Sequence, residues 1–135
     1  MTDSLDFSSV TYGLILPYGV ALPLRNIQLA MIPTAPPYLF LKGNVYLLKE
    51  RSVSVIGSRN ASMESKEKTE KLVKALVKRN IVVNAGLAKG IDTITHKTAL
   101  QNNGRTIAVI RTPTNQYYPR ENKELQLAIE KIWTC

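Results

Sequence analysis

Ser52-Val53-Ser54-Val55-Ile56-Gly57-Ser58-Arg59-Asn60-Ala61-Ser62 is the stretch whose reading decides the fold. A run containing β-branched residues ends at a glycine, and hydroxyl and cationic residues follow it. A buried strand that turns at once into a helix is written this way. Glu64 to Arg79 then carries helical periodicity, with Leu72, Val73, Leu76 and Val77 on one face. Lys66, Lys68, Lys71, Lys74 and Lys78 are interleaved with Glu64, Glu67 and Glu70, the pattern of a solvated face.

The unit repeats downstream. Ile81 to Ala85 reads as a second strand, Asp92 to Asn102 as a helix that Gly104 is placed to end, Thr106 to Ile110 as a third strand and Asn122 to Trp133 as a third helix. Alternating strands and helices are βαβ units, whose crossovers are right-handed and whose strands run parallel. The expected class is α/β, a Rossmann-like three-layer sandwich with a mostly parallel sheet and helices on both faces. Upstream, Pro17, Pro23, Pro33, Pro36 and Pro37 break short apolar runs, so residues 1–37 read as an irregular leader and residues 38–135 as the domain. Within that domain Tyr38 to Leu41 reads as a short extended piece and Val45 to Glu50 as a helical turn.

Composition narrows the function. The 135-residue chain is 44% hydrophobic and 21% charged, an ordinary globular balance for one domain. No apolar run approaches the roughly 20 residues of a membrane helix. Asp3 and Asp6, with no Lys or Arg beside them, argue against a targeting peptide. The single Cys, Cys135, excludes an internal disulfide and a cysteine-based zinc site, and the expected location is the cytoplasm. The net charge is +8, and Arg25 against Asp3 and Asp6 leaves residues 42–135 with 17 basic and 8 acidic groups. A basic body of this kind suits a polyanion.

In parallel sheets ligands bind beyond the carboxyl ends of the strands. Three loops arrive there: Gly57 to Ser62, Gly86 to Asp92, and Thr112 to Arg120. Ser58 and Ser62 offer hydroxyls, Arg59 and Arg120 bidentate guanidinium groups, and Lys89 a point charge. Gly57, Gly86 and Gly90 let the backbone approach closely. Neither of the first two loops is a Walker loop or a dinucleotide fingerprint. Tyr117 and Tyr118 are candidates for base stacking, although one of two adjacent tyrosines usually packs inward. Asp92 and His96 share a helix face at i, i+4; a structural role is favoured over a general-base pair, because no nucleophile or metal-spaced cluster accompanies them.

These residues resemble the DprA/Smf family of DNA-processing proteins of bacterial recombination and natural transformation. The likeness runs from about residue 23 to 130. It is carried by Pro36-Pro37-Tyr38-Leu39-Phe40-Leu41-Lys42-Gly43-Asn44, Val53 to Ser62, Ala85 to Asp92 with His96, Ala99-Leu100, Gly104 to Val109, and Tyr118-Pro119 with Glu121-Asn122 and Leu125. It implies single-stranded DNA binding through phosphates, with no metal or cofactor, no enzymatic step, and assistance to the RecA recombinase. It assigns phosphate contact to Ser58, Arg59 and Lys89, pocket shaping to Gly57, Gly86 and Gly90, and framework roles to Asp92 and His96. The sequence departs from the family at Met63-Glu64-Ser65-Lys66 and at Arg111-Thr112-Pro113-Thr114, and the likeness stops before the second half of the family's sheet. A half-sheet has an open strand edge, so self-association or weak stability is expected. Two other readings stay open: a nucleotide-binding sensor or nucleotide-processing enzyme on the same fold, and a truncated remnant without activity.

Overall fold

The structure is a computed structural model, and it describes residues 14–15, 19–22, 39–43, 47–48, 50–113 and 115–131. Two sheets are formed. β1 (Leu14–Ile15), β2 (Gly19–Leu22) and β3 (Leu39–Leu41) make an antiparallel sheet in that order. The ladder from Val20↔Leu41 to Leu22↔Leu39 crosses the 37/38 boundary drawn from proline content. Prolines in the sequence leave room between them for short strands such as β2. Leu47 and Leu48 lie in a 3-10 turn, and the rest of the helical turn expected over Val45 to Glu50 falls largely outside the described residues.

The second sheet is parallel, in the order β4 (Ser52–Ser54), β5 (Val82–Ala85) and β6 (Thr106–Ala108). Val53 pairs with Val83, and Val83 with Thr106. α1 (Met63–Lys78) connects β4 to β5, α2 (Ile91–Gln101) connects β5 to β6, and a 3-10 turn (Arg120–Asn122) leads into α3 (Lys123–Lys131). Val55 and Val83 pack with Val73 of α1 and Ala99 of α2, so both helices lie on the same face of the sheet. Consecutive right-handed crossovers between adjacent strands require this. The fold is α/β and Rossmann-like.

Both long helices stop in the same way. Asn80 (φ 62°) and Asn103 (φ 57°) adopt the left-handed conformation just after α1 and α2. Asn80 N–H donates to Val77 O and Ile81 N–H to Leu76 O; Asn103 N–H donates to Leu100 O and Gly104 N–H to Ala99 O. These are Schellman closures. Gly104 therefore does not end α2 by its own left-handed turn, because Asn103 takes that position. What Gly104 supplies is space, since a Cβ there would lie 2.5 Å from the Val77 side chain. The α1 closure is clamped from the residue before β6: the Arg105 guanidinium donates to Asn80 O and Asn80 Oδ1 and pairs with Glu50.

Two buried polar side chains of α2 tie it to the strands. Thr95 Oγ1 donates to Val55 O at 2.8 Å, at the end of β4. His96, fully buried, has Nδ1 2.7 Å from Thr106 Oγ1 on β6. Burial lowers the His96 pKa from 6.5 to about 4, against the opposing pull of the Asp92 charge and the Ala85 backbone. The imidazole is therefore neutral at physiological pH. On β4, Ser54 Oγ donates to Asn84 Oδ1, and the Asn84 amide donates to Ser52 Oγ, forming a small polar ladder across the sheet.

Candidate phosphate-binding rim

At the carboxyl end of the parallel sheet the loops after β4 and β5 touch backbone to backbone. Ile91 N–H, at the first turn of α2, donates to Ser58 O at 3.1 Å. Gly90 has φ +80°, and a Cβ there would run into Ser58 O and lie 2.7 Å from Arg59 O. Only glycine satisfies both the left-handed angle and that approach. Gly57 is likewise pressed against the Ile91 side chain. Arg59 and Lys89 consequently project from segments that are locked together, although they lie thirty residues apart in the chain.

Asp92 organises the second loop. Its Oδ2 accepts from Gly86 N–H at 3.0 Å and from Ala88 N–H at 3.3 Å. Between them Leu87 is fully buried and left-handed, with φ 63°. Such a conformation costs a non-glycine residue about 1–2 kcal/mol, and burying the side chain returns about 1.5–3 kcal/mol. Asn122 then clamps the third segment on the second. Its buried amide donates to Leu87 O at 3.0 Å and to Thr93 Oγ1 at 2.9 Å, and Thr93 Oγ1 donates onward to Ala88 O. With the loop carbonyls and two of its amides committed inward, the N–H groups of Gly57, Ser58, Arg59, Lys89 and Gly90 have no hydrogen-bond partner among the described residues. Unpaired amides beside cations are an anion-receptive arrangement.

The candidate residues do not all stand equally free. Ser58 Oγ accepts from Asn60 N–H, and Ser62 is the N-cap of α1, its Oγ accepting from Ser65 N–H. Arg59 and Arg120 are exposed. Lys89 is already paired: its Nζ lies 3.1 Å from Glu121 Oε1, with both side chains about 60% exposed (61% and 58%). The hydrogen bond from the Lys89 ammonium holds the Glu121 carboxyl below the usual carboxylate range. Thus a carboxylate stands at one of the cations assigned to phosphate. Neither the Glu121 pairing nor the Asn122 clamp was foreseen from sequence; an Asn three residues after a Tyr-Pro, at the start of an amphipathic run, was the available signal. Tyr117 is partly covered, with Lys123 Nζ 5.2 Å from its ring centre, while Tyr118 is 69% exposed. No helix among the described residues is long and apolar enough to cross a membrane.

A three-stranded parallel sheet with glycine-locked βα loops defines a Rossmann-like α/β domain. Residues 22–134 match the family model of the DNA recombination-mediator protein A, and the chain belongs to that family. It is 49% identical over 99 residues to the DNA processing protein DprA of Streptococcus pneumoniae, a match covering 73% of this chain and 35% of that protein. With protein Smf of Escherichia coli it shares 33% identity over 102 residues, 76% of this chain and 27% of the relative. The X-ray structure of the S. pneumoniae protein superposes with a TM-score of 0.73 at 43% identity, over 92% of this chain and 42% of that one. A Helicobacter pylori DNA processing protein A, described for its single-stranded DNA binding mode, superposes at 0.72 with 25% identity, over 93% of this chain and 54% of that one. The chain thus spans about a third of the length of the curated relatives it matches.

Proposed function

We propose that this chain binds single-stranded DNA through its phosphates, in DNA processing and recombination and without a catalytic step. The carrying observation is the rim itself: two loops locked through Gly90, five amides without a partner among the described residues, and the cations of Arg59, Lys89 and Arg120. Gly57 and Gly86 shape the loops, Asp92 braces the second of them, and His96 ties α2 to β6 behind it. The H. pylori relative's single-stranded DNA binding supports the choice of ligand.

If about three to five phosphates are neutralised, the log–log dependence of affinity on salt has a slope of about −2 to −3.5. Arg59→Ala weakens binding to all sequences alike and flattens that slope by less than about one unit. Anisotropy titrations of fluorescent oligonucleotides at several salt concentrations measure both, and a sequence-selective loss overturns the phosphate assignment. A mononucleotide panel run alongside separates this function from nucleotide sensing, since a sensor prefers the mononucleotides.

Self-association is the companion proposal. Among the described residues β4 pairs only with β5; Ser52, Val53 and Ser54 are all exposed, and Ile56 beside them is 66% exposed. A second copy pairing along that edge covers it. A stable, cooperatively unfolding monomer in light scattering counts against this. Contact with the RecA recombinase, which the family implies, is tested by retention on immobilised RecA.

A further inference from the structure

Glu121 is delivered to Lys89 by the fold, not by chance proximity of two surface side chains. It sits in the 3-10 turn Arg120–Asn122, and its neighbour Asn122 is buried and anchored by one hydrogen bond to Leu87 O in the loop that carries Lys89 and one to Thr93 in the first turn of α2. The backbone of Glu121 is therefore held against residues 87–93, and its carboxylate meets the ammonium at 3.1 Å. Beside it in the chain is exposed Arg120, and the Lys89 and Gly90 amides have no partner among the described residues. In a basic rim, an acidic side chain placed on a cation is a neutral resting partner for it. The carboxylate is also exposed enough to turn into water when a competing anion arrives.

We propose that Glu121 occupies the position a DNA phosphate takes on Lys89, so that binding exchanges an internal carboxylate for a phosphate and Glu121 sets the affinity of the rim. This rests on the phosphate-binding reading of the rim given above. Two consequences follow from the charges. The exchange releases less attraction than an unpaired lysine would give, so the protein binds less tightly than its cations alone allow. The carboxylate also remains close to the incoming strand, so it offsets part of the neutralisation that Lys89 provides.

The test is a double-mutant cycle read by anisotropy with a fluorescent oligothymidylate at low and moderate salt. Glu121→Gln is expected to tighten binding about two- to five-fold at low salt, the range an exposed ion pair commands, and to steepen the salt slope by up to about 0.7. In the Lys89→Met background that gain is expected to vanish. Glu124→Gln, which removes an equal charge one turn further on, is expected to change affinity less. Melting temperatures accompany each variant, and Glu121→Asp, whose shorter side chain loosens the pair, is expected to fall between wild type and Gln. An unchanged or weakened Glu121→Gln, with Lys89→Met and Arg59→Ala both impaired, overturns the exchange and leaves the rim standing. A gain fully retained without Lys89 also overturns it, by showing a diffuse effect of charge. If neither Lys89→Met nor Arg59→Ala alters binding, the rim reading itself has failed.

Discussion

Acidifying the protein from pH 7 to pH 5 should weaken folding through one group, His96. The imidazole is fully buried and its Nδ1 faces Thr106 Oγ1. Burial lowers its pKa from 6.5 to about 4, with the Asp92 charge and the Ala85 backbone opposing. The unfolded chain therefore takes up the proton first. Stability is complete above pH 6.5, declines as pH falls from 6.5 toward 4, and loses no more to this group below that. At about 1.4 kcal/mol per tenfold step in proton activity, the loss is about 2 kcal/mol at pH 5 and about 3 kcal/mol in full. Few ordinary carboxylates titrate between pH 7 and 5, so the interval isolates the histidine. The chain has one His, and its ring Hε1 resonance reports the titration without ambiguity of assignment. Urea midpoints at the two pH values report the energy, and His96→Gln should flatten the difference. A midpoint at or above about pH 6, or equal stability at pH 7 and pH 5 within about 0.5 kcal/mol, refutes the reasoning.

Two further outcomes are expected from urea unfolding. Gly90→Ala forces a side chain into Ser58 O and Arg59 O at φ +80°, so it should cost more than about 2 kcal/mol and separate the two rim loops, lowering oligonucleotide affinity as well. Asn103→Gly should be neutral or slightly stabilising, whereas Asn103→Ala should cost about 1 kcal/mol, because residue 103 holds the left-handed turn after α2; equal effects of the two would contradict the closure described.

The alternation of strand and helix was legible because each element carries its own period. Leu72, Val73, Leu76 and Val77 lie in α1 (Met63–Lys78), and Ile81 to Ala85 contracted by one residue to β5. Glycine loops at the strand ends were equally plain, since the turn chemistry is local. One reading at a helix end and one near the N-terminus went differently. Gly104 has the right residue type to end a helix, but Asn103 tolerates the left-handed angle and comes first. The short strands β1 and β2 carried too little alternation, between prolines, to stand out.

Sequence alone determined the α/β class, the basic body and the loops that carry Arg59, Lys89 and Arg120, because periodicity, charge and turn chemistry are properties of short stretches. Only the tertiary structure decided that Gly90 locks two of those loops together, that Asp92 and Asn122 commit the loop's inward groups, and that Glu121 stands on Lys89. Each of these is a contact across a turn or between separate crossovers, and its geometry exists only once βαβ packing has brought the strand ends to one side.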